Sequence, residues 1–191
     1  MRSILSDDLM TIIYTSGTAG KPKGVMLSHR NFISNFLAVH TIPPKEPNTV
    51  ELSFLPLCHV YERMLNYCWQ YNGYTVYYLD NIGYLGDYIN EVKPQIVTSV
   101  PRVLESIFDK IMAKGRKLKG FKKIVFFWSI KIGMKYNTHK NKPWYRFQLK
   151  LARQLVFKKW LEALGGRIDI IVSGGAAIQE RLENIFWAAV S

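Results

Sequence analysis

The sequence predicts an α/β fold: a mainly parallel sheet flanked by helices, interrupted by a two-helix basic insertion. Three observations predict it. Short apolar, β-branched runs alternate with stretches of helical periodicity, the order that gives parallel strands covered by helices. Over residues 114–166 that alternation stops and two basic helical segments replace it. Near the start, the glycine-rich stretch "YTSGTAGKPKGV" (residues 14–25) lies between two apolar runs, which reads as a hairpin.

The elements follow in order. Thr11-Ile12-Ile13-Tyr14 reads as the strand entering the loop, and Val25-Met26-Leu27 as the return strand. Ser28 is placed to cap a helix from His29 to about Val39. "TIPPKEPN" is a proline-rich loop. Residues 50–55 read as a strand, 61–71 as a helix, 74–79 ("YTVYYL") as a strand and 85–92 as a short helix. After the Lys93-Pro94 break, residues 96–100 form a strand. Pro101 then sits in a helical first turn, with Ser99 as the cap. Val103, Leu104, Ile107, Phe108 and Ile111 share one face of that helix, and Gly115 is read as its end. In the insertion, Phe121, Ile124, Trp128 and Ile132 mark the first apolar stripe. Trp144, Phe147, Leu151, Leu155 and Leu164 mark the second, which stops at Gly165-Gly166. Residues 168–172 form a strand, "SGGAA" a turn, and 178–189 a helix. No internal repeat is present.

Composition fits a chain that buries a core, since 48% of its 191 residues are hydrophobic. Charge is uneven. Residues 110–167 hold 17 of the 26 Lys and Arg and a single acid, Glu162, a net of +16 in a chain whose total is +12. An electrostatic partner is therefore sought in that segment. Cys58 and Cys68 lack metal-ligand spacing and read as two buried thiols in a reducing compartment. No apolar run reaches bilayer length and the N-terminus has no signal-like apolar core, which points to a cytosolic chain.

The loop has the chemistry of a phosphate cradle. Gly17 and Gly20 allow close backbone approach, Thr15, Ser16 and Thr18 offer hydroxyls, and Lys21 and Lys23 add positive charge. It is not a Walker loop: the glycines are too close, and Pro22 stands where Ser or Thr is needed. The plainer alternative is a solvated hairpin turn.

"YTSGTAGKPKGVMLSHRN" closely resembles the phosphate-binding signature of the adenylate-forming enzymes, the superfamily that includes acyl-CoA synthetases. Ala19 departs from the Thr, Ser or Glu usual there, and Lys23, not Lys21, matches the family's lysine. "FLPLCHVYER" (residues 54–63), "SVPRVLESIFDKI" (99–111) and "LVFKKWLEALGGRIDIIVSGGAAI" (155–178) are similar to the long-chain fatty acid–CoA ligase branch, as is the basic insertion. The resemblance covers essentially the whole chain. It implies part of a large N-terminal AMP-binding domain: a loop hairpin at 7–30, an α/β core at 50–113 and 168–191, and the insertion at 114–166.

The resemblance also implies a reaction. A fatty carboxylate attacks the α-phosphorus of ATP, giving an acyl-adenylate and pyrophosphate, and coenzyme A then displaces AMP. It assigns Thr15, Ser16, Gly17, Thr18, Ala19, Gly20 and Lys23 to the ATP phosphates, beside Mg²⁺, for which this stretch supplies no ligand. Gly174, Gly175 and Ala176 are assigned to the adenylate and acyl group, against the alternative of a plain αL turn. His59 is placed near the acyl carboxylate as a positioning residue. Arg102 is a further candidate. Arg63, Glu62 and Arg102 have ordinary ion pairs as their alternative role. The family's YGxTE-type segment, ribose-binding aspartate and C-terminal domain are expected outside these residues, so an inactive fragment with open sheet edges, prone to self-association, is expected.

The partners expected are a long-chain fatty acid and an anionic membrane surface met by residues 114–160, making the chain cytoplasmic or peripheral to a membrane. A solvated charged face is the alternative for the insertion. A nucleic-acid partner is not expected, because the insertion's aromatics are assigned to its covered faces and no recognition motif is present. The competing functions are an ATP- or lipid-binding fragment without turnover, and a ligase for aromatic or short-chain acids.

Overall fold

A computed structural model of the chain describes residues 3–16, 21–43, 46, 48–137 and 142–190. Strands β1 (Leu9–Thr15) and β2 (Lys23–Ser28) pair antiparallel, with Thr15 opposite Lys23. Helix α1 (His29–Val39) follows at once. The Ser28 side chain accepts from the backbone of Asn31, whose own side chain accepts from the backbone of Ser28. This reciprocal cap satisfies two donors that a helix start otherwise leaves open.

The main sheet holds β3 (Val50–Ser53), β4 (Thr75–Tyr78), β5 (Ile96–Ser99) and β6 (Ile170–Ser173), all parallel, in the order β4-β3-β5-β6. Because parallel crossovers are right-handed, a reversal in strand order sends the connecting helices to opposite faces. The core shows that division. Leu65 and Trp69 of α2 (Val60–Tyr71) pack with Ile96 on one face. Leu85 and Ile89 of α3 (Leu85–Val92) pack with Leu52 and Val97 on the other. Neighbouring residues of one strand thus serve different layers, the period-2 logic of a strand buried on both sides.

Helix α4 (Pro101–Arg116) leads from the sheet into the insertion. There α5 (Gly120–Gly133) is followed by α6 (Pro143–Ala152), which runs through a π-helical turn (Arg153–Phe157) into α7 (Lys158–Ala163). The chain then returns through β6 to α8 (Glu180–Val190). Phe126 and Ile130 of α5, Leu149 of α6, Phe157 of the π-helical turn and Ile185 of α8 share a core with Leu104 and Phe108 of α4. The insertion is packed into the domain, not appended to it.

Several expectations are corrected. Val100, not Ser99, occupies the α4 cap position, with no side-chain cap bond; Ser99 is the last residue of β5. Gly115 lies in the last turn of α4, which runs one residue beyond it to Arg116. A Cβ there would stand 2.0 Å from the Phe126 ring, so the missing side chain is what lets α5 seat. The insertion's stripes are also reassigned: Phe121, Ile124, Trp144, Phe147, Leu151 and Leu155 are exposed. The buried side carries Phe126, Ser129, Ile130, Ile132 and Gly133 on α5, of which Ile132 belongs to the expected stripe, and Leu149 and Ala152 on α6; Trp128 and Leu164 of the expected stripes are half-buried. Small residues mark the contact because they let helix backbones approach, a weaker pattern in the sequence than the large apolar side chains on the other faces. The second basic helix is a helix, a π-turn and a helix, not one regular segment. Cys68 is buried, but Cys58 is exposed. Gly165 does stop the second helix, with φ +85° and no space for a Cβ beside the Ile89 carbonyl.

Candidate functional site

Strands β3, β5 and β6 end at Ser53, Ser99 and Ser173, and beyond their carboxyl ends lies the position where open α/β sheets bind ligands. The Gly174 N–H donates to the Ser99 carbonyl at 3.4 Å. A Cβ on Gly174 would come within 2.3 Å of the Tyr61 ring, so glycine is what allows that ring to lie across the turn. Gly175 has φ +79° and Ala176 is exposed, so this segment is an open, left-handed turn beneath Tyr61. Sequence reasoning did not single out Tyr61; its place two residues after His59 in "CHVYER" was the available signal.

His59 occupies the α2 cap position, exposed, with its side chain making no cap bond. Arg102 is exposed in the first turn of α4. Both therefore stand at helix starts that face the carboxyl ends of the strands. Among the described residues, neither makes an ion pair. Glu62 and Arg63 make none either, which corrects the ion-pair alternative: Arg63 instead donates from Nη1 to Thr11 Oγ1 at 2.8 Å, joining α2 to the hairpin.

At the hairpin's far end, Thr15 Oγ1 donates to the Lys23 carbonyl at 3.5 Å. Ser16, Lys21 and Lys23 are exposed. Gly17, Thr18, Ala19 and Gly20 lie outside the described residues. No hydrogen bond among the described residues joins Thr15, Ser16 or Lys23 to the Gly174 turn. The tie at Thr11 lies four residues before Thr15, about 13 Å along an extended strand. The structure thus brings Tyr61, Gly174 and Gly175 together and leaves the loop on an arm anchored at Arg63.

Behind the crevice is a pair of buried carboxyl groups. Glu51 of β3 is fully buried, and among the described residues neither of its oxygens has a partner in good hydrogen-bond geometry, Thr98 of β5 being near enough only to favour the charged form weakly. Burial, reinforced by the charge of Glu62, pushes its pKa up to about 9, with Thr98 offsetting part of that. Glu62 accepts a hydrogen bond from Ser53 Oγ, yet burial still raises it to about 7. Burial and then Glu62 also raise the Tyr61 phenol. An acid at 51 in the apolar run "VELSFL", in phase with Ser53, was the sequence signal for this cluster.

Residues 2–191 match the AMP-binding enzyme family, and the chain belongs to it. It is 33% identical over 189 residues to long-chain-fatty-acid–CoA ligase 5 of Rattus norvegicus, an alignment covering 96% of this chain and 27% of that protein. It is likewise 33% identical over 187 residues to long chain acyl-CoA synthetase 5 of Arabidopsis thaliana, covering 93% and 27%. The chain thus spans about a quarter of the length of these relatives. Two solved structures share the fold. One is the adenylation domain of the carboxylate reductase of Mycobacterium chelonae, with TM-score 0.62 and 20% identity over 97% of this chain and 25% of that one. The other is the A domain of the carboxylic acid reductase of Segniliparus rugosus in complex with AMP and a co-purified carboxylic acid, with TM-score 0.57 and 19% identity over 97% and 26%.

Proposed function

We propose that this chain is the central part of an ATP-dependent long-chain fatty acid–CoA ligase. The observation that carries the reading is the kinship, across nearly all of the chain, with long-chain acyl-CoA ligases. The geometry agrees with it: a hydroxyl- and lysine-bearing hairpin is tied through Arg63 to the helix whose Tyr61 covers the Gly174 turn. The division into loop hairpin (7–30), α/β core (50–113, 168–191) and insertion (114–166) belongs to the same proposal.

Adenylation sets a carboxylate against a polyphosphate, so neutralising charge is the main task. Lys23, Thr15 and Ser16, with the loop residues Gly17, Thr18, Ala19 and Gly20, hold the β- and γ-phosphates and orient pyrophosphate as the leaving group. Gly174, Gly175 and Ala176 leave room for the adenylate and the start of the acyl chain. His59 positions the carboxylate, and Arg102 adds positive charge at the same edge. Among the described residues no cluster of three or more His, Cys, Asp or Glu is suited to a metal. Mg²⁺ would neutralise the phosphates beside the loop. Coenzyme A enters as the second substrate.

Palmitate-dependent ATP–pyrophosphate exchange by the full-length protein, compared with a short acid, tests this. Exchange favouring palmitate, falling roughly hundredfold in Lys23→Ala, is expected; a folded protein that exchanges with no acid refutes the ligase reading.

A second observation supports a cytoplasmic chain peripheral to an anionic membrane. Trp144, Phe147, Leu151 and Leu155 form one exposed stripe, interleaved with the exposed Lys142, Arg146 and Lys150. Apolar anchors among lysines suit a charged lipid surface. No helix among the described residues is long and apolar enough to cross a membrane. Phe126 and Phe157 are buried as expected, whereas Trp144 and Phe147 are exposed, so the covered-face argument against nucleic acid holds for only part of the insertion; the absence of a recognition motif stands beside it.

A further inference from the structure

A groove of about 760 Å³ runs along α4 on the sheet face opposite α2. Its floor and one wall come from two rows on α4, each with a spacing of four residues. Val103, Ile107, Ile111 and Gly115 form the apolar row. Arg102, Ser106, Lys110 and Lys114 form the polar row beside it. Residues four apart stack along a helix, so each row is a continuous stripe about 18 Å long. Leu85, Gly86 and Ile89 of α3 supply the facing wall, and Trp160, Ala163 and Leu164 close the far end.

The charge in this groove has one sign. Lys159 joins Arg102, Lys110 and Lys114 at the rim, and no acidic side chain lines the groove. Among the described residues none of the four is in an ion pair. Glu105 and Asp109 line an adjoining, more open cleft on α4 that shares Arg102, Ser106 and Lys110 with the groove, while Lys114 and Lys159 face the groove without them. Surface this apolar gains about 25 cal/mol for each Å² removed from water, while the unpaired cations favour an anionic head over a neutral one.

We propose that the groove binds a single-chain anionic lipid, a long-chain carboxylate held as a non-reacting ligand. Its chain lies along Val103, Ile107 and Ile111, and its head among Lys110, Lys114 and Lys159. The sheet separates the apolar row from Val103 to Ile111 and the head site at Lys110, Lys114 and Lys159 from Tyr61 and α2; Arg102, at the opposite end of the groove, is shared with the crevice edge and takes no part in the head site. The inference rests on the groove's own shape and charge, not on the ligase reading.

Trp160 supplies the readout. Stearate carrying a nitroxide near its carboxyl end, beside the expected head site, is titrated into the full-length protein, and fluorescence quenching is followed in parallel with a Trp160→Phe variant. Saturable quenching that disappears in Trp160→Phe is expected, with binding at least tenfold weaker for the uncharged methyl ester. A Cβ at Gly86 meets no atom within 4 Å, so Gly86→Leu fills the groove without displacing the core. Gly86→Leu and the double variant Lys110→Glu/Lys114→Glu each weaken binding at least tenfold and leave palmitate-dependent exchange unchanged. Unquenched Trp160, or quenching indifferent to both variants, overturns the site. Loss of exchange in step with loss of quenching overturns its separation from the substrate path. A protein that shows quenching but no exchange with any acid would refute the ligase reading alone.

Discussion

Glu51 is the residue at which sequence pattern and chemistry part most sharply. A carboxyl group in the centre of a parallel sheet is tolerated only if it stays neutral, because ionising it there costs far more than protonating it. Burial and Glu62 keep it so, up to about pH 9, while Glu62 itself titrates near 7. Both folded values lie above the ordinary 4.5, so the folded chain holds protons that the unfolded chain releases. The stabilisation is whole below pH 4.5, erodes as pH climbs, and is gone once pH passes the folded values. Each group contributes a slope of at most about 1.4 kcal/mol per pH unit. Glu51→Gln keeps the shape and removes the titration. Its melting temperature should match that of the unaltered protein near pH 5 and exceed it at pH 8, measured by thermal unfolding across that range. Equal pH dependence in the two proteins would show that Glu51 is ionised or solvated in the fold.

At the level of elements, the α/β alternation was legible because each signal was local: β-branched runs, Pro101 in a first turn, Ser28 before His29, Gly165 after a helix. The packing side of the insertion was not. Its helices are apolar on more than one face, so periodicity offers two stripes and does not say which is covered. The answer lies in small residues, Gly115, Ser129, Gly133 and Ala152, that matter only once a partner helix is present. The exposed stripe has its own consequence. If Trp144 and Phe147, whose rings stack 5.7 Å apart, anchor the protein to lipid, Trp144→Ser/Phe147→Ser removes the apolar part of the attraction and leaves the lysines. Cosedimentation with phosphatidylserine vesicles should fall at least tenfold in this variant, with little binding to phosphatidylcholine by either protein. Because both rings are exposed, thermal stability should be nearly unchanged; undiminished cosedimentation would refute the membrane reading.

For the whole molecule, the question is how a loop on a two-stranded arm is held in register with a crevice built by the main sheet. The hydroxyls and lysines of the proposed phosphate loop stand in "TSGTAGKPK", but the bond that ties its arm to α2 does not show in the sequence. Thr11 and Arg63 lie 52 residues apart, and neither looked special. Helix α1 carries the hairpin onto α2 through Phe32 against Tyr67, a contact that fixes position loosely. The Arg63–Thr11 bond fixes rotation, and the same helix places Tyr61 over Gly174. Thr11→Val deletes the acceptor, keeps the side-chain shape and suits a strand. A hydrogen bond to a charged donor contributes about 1.5–3 kcal/mol, so loosening the arm should raise the KM for ATP roughly tenfold or more in palmitate-dependent exchange. The KM for palmitate should move little, because the Gly174 turn is untouched. Arg63→Lys, which restores charge but not the guanidinium fork, should recover only part of the affinity when compared with Arg63→Ala. A rise in both KM values together would mean that Thr11 supports the whole crevice. No rise in either would mean that α1 alone aims the loop.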